Sequence, residues 1–287
     1  MNAAELTQVL GLHVATVEGS PSPYRTSFPL EELRVELTDG ATLQLVRKEL
    51  RRSALGPSIR RVKPEFLHAP EREIEAYRLL AGRQLGTPAF YGAGRGWILL
   101  EHVPGFELAQ SGDLEDWRRA ARWLGRLHAT FAASPPSSGH LLDHDAAYYR
   151  VWPRRAAARA PEVARIADRY EPVVERLLAL PRTLIHGEFY ASNVLVAGGR
   201  VAPVDWEMAA VGPGAVDLAA LVTGWTGEER ADILAAYHPG VDDAALAACR
   251  LHLALQWLGW SSDWTPPEAQ AYDWLGEARD AAERLGL

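Results

Sequence analysis

His186, Glu188 and Asn193 fall within eight residues, in a segment between apolar runs at 183–185 and 194–196, and Asp205 and Glu207 close the next apolar run, 201–204. Two short hairpin strands built from these runs would carry oxygen-bearing side chains to one edge. An acid, an amide five positions on and an aspartate a dozen later could together supply the oxygen-bearing parts for phosphoryl transfer. That reaction asks little covalent chemistry of a protein. It needs a carboxylate beside the attacking hydroxyl, hard oxygen ligands for Mg²⁺, and a cation on the nucleotide phosphates.

Candidates for the cation are few. Of the 30 basic residues only Lys48 and Lys63 are lysine. A lysine kept against such a bias answers a need for a compact ammonium where a guanidinium does not fit. Lys48 ends the strand-like stretch LQLVRKEL, and the nucleotide α and β phosphates are its expected partners.

The two halves of the run, H-G-[acid]-x4-N-V-L-V from His186 and V-D-W-E-x-A-x-x-G-x-G-x-x-D-L-A from Val204, resemble the aminoglycoside phosphotransferase and choline kinase superfamily, small-molecule kinases that share the protein-kinase fold. The likeness is tight over about thirty-five positions and weaker over most of the chain. It implies an α+β, two-lobed fold: a nucleotide-binding lobe over 1–101 with an antiparallel sheet and one helix, and a mainly helical catalytic and substrate-binding lobe over 102–287. It implies ATP or GTP as co-substrate, Mg²⁺, and a small-molecule hydroxyl as acceptor, with an amino sugar of the aminoglycoside kind as one candidate. Residue by residue, it makes Glu188 the carboxylate at the acceptor hydroxyl and His186 a brace for the catalytic loop. Asn193 and Asp205 become metal ligands, Glu207 a second-metal ligand or an outer partner, and Asp217 a buried anchor of the loop backbone. Glu73 pairs with Lys48, Glu75 being the alternative two residues on. The backbone of Glu101 and Val103 reads the adenine. At one position the chain departs from the family, which usually has aspartate where this sequence has Glu188, similar in pKa and about one methylene longer. A nucleotide-binding module without turnover is the alternative this raises, and the retention of Lys48, Asn193 and Asp205 opposes it.

These residues need a scaffold. Period-two alternation predicts strands over 12–17, 33–37 and 42–48, the last two joined by the Thr-Asp-Gly turn at 38–40. The segment 18–28 between the first two lies where a nucleotide-covering loop falls; it lacks G-x-G-x-x-G, but Gly19, Ser20, Ser22, Thr26 and Ser27 are candidates for phosphate contact. Residues 51–69 read as a solvated basic loop, the alternative being a cover over the nucleotide in which Arg60, Arg61 and Lys63 reach phosphates. Ile74, Tyr77 and Leu80 mark a helix after Pro70, residues 97–100 a central strand, and 101–103 a hinge before Pro104-Gly105. Beyond Asp113 the pattern is helical, with Trp117, Ala121, Leu124, Leu127 and Phe131 on one stripe and His128 a packed histidine. The stretch 133–147, with His140, Asp143, His144 and Asp145, reads as surface loop. A helix over 163–180 leads into the catalytic run, and helices at 218–223, 228–237, 243–260 and 267–285 follow it. They carry Trp225, Trp257, Trp260, Trp264 and Trp274 among acidic residues, a composition that suits either a core or a wall for a cationic acceptor.

Composition excludes several classes. The 287-residue chain is 48% hydrophobic and 23% charged, ordinary for a globular protein. A net charge of -7 argues against general nucleic-acid or anionic-membrane partners. No apolar run approaches the roughly 20 residues that span a bilayer, and the N-terminus lacks the basic start and apolar core of a signal peptide. With the single Cys249 no internal disulfide forms, so the cytoplasm is the expected compartment.

Overall fold

A computed structural model describes residues 1–22, 28–260 and 271–287. The alternating N-terminal pattern folds as expected into an antiparallel sheet of β1 (Val14–Pro21), β2 (Leu30–Leu37), β3 (Thr42–Glu49), β4 (Phe90–Gly94) and β5 (Trp97–Glu101), in the order β1-β2-β3-β5-β4. Helix α1 (Ala3–Leu10), whose Asn2 and Glu5 cap each other reciprocally, lays Leu6 on Leu33, Val35, Leu45 and Leu99. The register of β3 sets Lys48 between Leu30 of β2 and Ile98 of β5. Strand β1 runs past the expected loop boundary, because its pairing with β2 continues to Pro21. Ser20 is therefore an exposed strand residue opposite Glu32, not part of a loop, while Thr26 and Ser27 lie outside the described residues.

The segment after β3 corrects the sequence reading. Residues 51–69 are not a solvated loop: Pro57 starts α2 (Pro57–Val62), Leu55 and Leu67 are buried, and Lys63 is only 6% exposed. Helix α3 (Pro70–Leu80) follows, burying Ile74, Tyr77 and Leu80 with Glu73 on the same side.

The remainder is helical around two small sheets. In chain order come β6 (Phe106–Glu107), α4 (Leu114–Ala132), β7 (Leu142–Asp143), α5 (Ala146–Ala157), α6 (Ala164–Asp168), α7 (Glu171–Ala179), β8 (Arg182–Ile185), β9 (Val194–Ala197), β10 (Arg200–Pro203) and β11 (Ala210–Pro213). Helices α8 (Ala215–Leu221), α9 (Gly227–Ala236), α10 (Asp243–Leu258) and α11 (Trp274–Arg284) complete it. The helix expected over 163–180 divides into α6 and α7, since Pro172 belongs in a first turn and cannot donate within a continuing helix. The helix expected from 267 begins at Trp274, and 261–270 lie outside the described residues. Strands β9 and β10 form the hairpin foreseen, joined by β6, but β8 pairs with β11 in a separate sheet with β7. One apolar core runs from Leu50, Tyr77 and Leu100 under the first sheet to Trp123, Leu184 and Phe189. Among the described residues no helix is long and apolar enough to cross a membrane.

His144 is not on the surface. It is buried with its ring 4.1 Å from Tyr148 and 5.9 Å from His252, and among the described residues neither imidazole has a hydrogen-bond partner at either nitrogen. Burial pushes His252 down to about 3, and burial, His252 and Arg182 push His144 well below its ordinary value. In the unfolded chain both titrate near about 6.5. The stabilisation these neutral rings provide is complete above that value and is lost as pH falls toward 3, because the unfolded state then binds more protons. For one such ring the loss at pH 5 is about 2 kcal/mol. Denaturant titrations at pH 7 and pH 5 should show the wild type losing at least this much, and His252→Leu losing less.

Candidate active site

The catalytic run is held by Asp217, in the first turn of α8. Its Oδ2 accepts from the His186 N–H at 2.7 Å and its Oδ1 from the Gly187 N–H at 2.8 Å, while His128 of α4 lies 3.3 Å from Oδ2 and 2.9 Å from the Tyr237 hydroxyl. An anionic side chain at a helix start is well placed against the helix dipole. Gly187 is required: its φ is +84°, and a Cβ there would sit 2.2 Å from the Met208 carbonyl oxygen.

His186 turns its ring inward. Nδ1 lies 3.3 Å from the Glu188 N–H, which donates to it, so the proton is on Nε2, which donates to the Val204 carbonyl at 2.9 Å. Burial lowers its pKa below the ordinary value, which keeps the ring neutral. The histidine thereby ties the loop to the residue before Asp205. Asn193 uses its amide nitrogen on the Glu188 carbonyl at 2.9 Å and its backbone carbonyl on the Val204 N–H at 2.9 Å, leaving the amide oxygen as its remaining acceptor. Asp205 has φ 66° and ψ 60°, a left-handed conformation uncommon for a residue with a Cβ.

From β3, Lys48 reaches both Glu73 and Asp205. Its Nζ lies 2.8 Å from Glu73 Oε2 and 2.6 Å from Asp205 Oδ1. Burial alone would lower the lysine pKa, but Asp205, Glu73 and Glu207 outweigh it and raise the pKa. Burial likewise works against the Asp205 carboxylate, and Lys48 keeps it below its ordinary value. Glu73, and not Glu75, is the partner in α3. Lys63 pairs with Glu207. Burial together with Glu207 and Asp205 pushes the Glu188 carboxyl up to about 8.

Among the described residues no three His, Cys, Asp or Glu side chains converge as a metal cage. Asp205 and Glu207 each hold an ammonium instead. One or two carboxylates with an amide oxygen nevertheless fit Mg²⁺, which takes few protein ligands and fills its remaining positions with phosphate and water.

Glu101 ends β5 and its side chain binds Arg200 at 2.6 Å; Val103, two residues on, is buried. Beside Glu188, Tyr190 packs edge-on to Trp257, whose ring stacks on Trp274 at 5.0 Å. Trp152 and Trp260 form a second stack, with Phe66 of the linker against Trp152. Trp225 is elsewhere, against Trp117, and Trp264 lies outside the described residues. Sequence reasoning gave Lys63 only as an alternative phosphate contact in a segment read as a loop, and it missed Tyr190, which carried no signal.

Residues 51–252 match the profile of the phosphotransferase enzyme family. The chain belongs to this family. Among curated proteins none matches it. In structure it is similar to a protein assigned as a fructosamine-3-kinase from Thermobifida fusca, at 21% identity and a TM-score of 0.65, covering 98% of this chain and 96% of that one. It is similar to the choline kinase LicA from Streptococcus pneumoniae, at 15% identity and a TM-score of 0.61, over 99% and 96% of the two chains. LicA has also been solved in complex with AMP. The macrolide 2'-phosphotransferase MphH from Brachybacterium faecium resembles it at 20% identity and a TM-score of 0.56, over 92% and 97%. At these identities the likeness shows the shared fold, the kinase-like α+β arrangement expected from the motifs. As a member of this family the chain is a phosphotransferase.

Proposed function

We propose that the enzyme transfers the γ-phosphoryl group of ATP or GTP to a hydroxyl of a small molecule, an amino sugar or a related metabolite, in a cleft between a nucleotide-binding part (1–101) and a catalytic part (102–287). The observation that carries this reading is the bridge made by Lys48 between Glu73 and Asp205, with the Glu188 carboxyl within electrostatic reach of Asp205 and Lys48.

In this reading Glu188 takes the proton as the acceptor oxygen forms its bond to phosphorus and the bond from phosphorus to the β-phosphate oxygen breaks, releasing the nucleoside diphosphate. A carboxyl already lifted by its neighbours is suited to receiving a proton near neutral pH. Lys48, steered by Glu73, holds the α and β phosphates, and the backbone of Glu101 and Val103 meets the base. Exposure of Ser20 on β1 leaves it a peripheral phosphate contact. Asn193 and Asp205, with Glu207 as second ligand or outer partner, hold Mg²⁺, which when bound offsets the charge of the phosphates. His186 braces the loop and does not take the proton, because both its nitrogens are engaged. The Tyr190, Trp257 and Trp274 wall suits an acceptor that carries a cationic amine beside its hydroxyl.

A panel of amino sugars, aminoglycosides, amino alcohols and sugar-amine adducts, each incubated with Mg-ATP or Mg-GTP, tests the reading. One acceptor class should gain a single phosphoryl mass, with transfer lost in Asp205→Asn. Nucleotide binding without turnover on any member would favour the module reading instead.

A further inference from the structure

The two lysines of this chain come from different segments, β3 and the end of α2, and meet in one cleft. Lys63 is 6% exposed, pairs with Glu207, and places Nζ 5.2 Å from the Phe28 ring centroid; Lys48 Nζ lies 5.8 Å from the same ring. The linker that carries Lys63 is fixed in place. One guanidinium nitrogen of Arg72 donates to the Leu67 carbonyl at 2.7 Å and to the Glu207 carbonyl at 2.8 Å, pinning the linker to the turn that follows Asp205. The positive charge of Lys63 also reaches Asp205, where it adds to the stronger effect of Lys48, and it partly offsets the rise of Glu188.

Building on the nucleotide and Mg²⁺ reading of this cleft, we propose that Lys63 is a second phosphate-binding cation, one that holds Glu207 in the nucleotide-free enzyme and turns to the terminal phosphate of a nucleoside triphosphate in the loaded one. When Glu207 is drawn to a divalent ion, Lys63 loses its partner. A buried ammonium without an anion is costly, and the triphosphate is the anion that arrives. Lys48 does not face this exchange, since it keeps Glu73. The exchange suits lysine and not arginine: a single ammonium on a flexible stem serves two partners in turn, where a planar guanidinium is committed to one geometry. The diphosphate product lacks the group Lys63 would hold, so the residue discriminates triphosphate from diphosphate.

Calorimetric titration with Mg²⁺ and either the β,γ-imido analogue of ATP or ADP reads this without turnover. In Lys63→Met the triphosphate analogue should bind about ten- to a hundredfold more weakly, the worth of a charge-assisted hydrogen bond, while ADP shifts by less than about threefold. Equal change for both ligands, including tighter binding of both because Glu207 is freed for the metal, would show Lys63 to be only the partner of Glu207 and overturns the proposal. Wild-type protein that binds neither nucleotide overturns the functional reading and this inference with it. Should Lys63→Met fail to fold, amine acylation with mass spectrometry reads the two lysines separately in the wild type. Lys63 should label more in the Mg-ADP complex than in the triphosphate complex, and equal labelling refutes the idea.

Discussion

Replacing Glu188 with glutamine should lower kcat by about 10²- to 10⁴-fold, the usual contribution of a general base, while leaving nucleotide affinity little changed. The amide keeps the shape of the side chain and loses the ability to accept a proton. Lys48 and Glu73 are untouched, so a calorimetric titration with nucleotide separates lost chemistry from lost binding. Stability should move the other way. Burial first, and repulsion from Glu207 and Asp205 with it, opposes the charge of Glu188. A neutral isostere relieves that repulsion, so the nucleotide-free variant should melt higher, by roughly 2–4 °C for each kcal/mol relieved. Glu188→Asp should retain part of the activity, because it keeps the carboxylate and shortens its reach by about one methylene. A Glu188→Gln enzyme with wild-type kcat would remove the residue from the chemistry, and a loss of nucleotide affinity equal to the loss of kcat would make it a binding residue.

Much of this arrangement was legible in the sequence where the chemistry is local. Glu188, Asn193 and Asp205 are spaced by the chain itself, and Lys48 and Glu73 sit at a strand end and on a helix face whose patterns are plain. Long-range pairing was harder to foresee. That β8 pairs with β11, and not with the hairpin of β9 and β10, depends on a partner absent from the local pattern, and alternation alone does not choose between edges. The linker at 51–69 was misread because its arginines dominate its composition, while Leu55, Leu67 and Lys63, which decide its burial, are isolated in sequence and converge only in space. His144 was misread for the same reason: a turn-rich neighbourhood looks exposed until α5 and α10 close over it. Helix α5 carries Pro153 in its interior and no clean apolar stripe, so it had no signal to give.

Asp217→Ala should be the most damaging substitution that touches no reactant. The side chain accepts from two successive backbone N–H groups, of His186 and Gly187, and neighbours His128, all of them buried. Alanine removes the acceptor and leaves both N–H groups without a partner where water does not reach, at about 1–3 kcal/mol for each unmet donor. A total loss of about 3–5 kcal/mol follows, on the order of 10 °C in Tm for a chain of this size. Asp217→Asn keeps one acceptor oxygen but sets an NH₂ against a backbone N–H, so it should recover only part of that loss. Activity should fall in both variants even well below their melting temperatures, because the two N–H groups belong to the residues that aim Glu188. The signature is a fall in kcat with nucleotide affinity retained, since Lys48 and Glu73 do not depend on α8. If Asp217→Ala melts like the wild type in a denaturant titration, the loop is held by something other than this carboxylate, and the account of how the chain positions Glu188 fails at its first step.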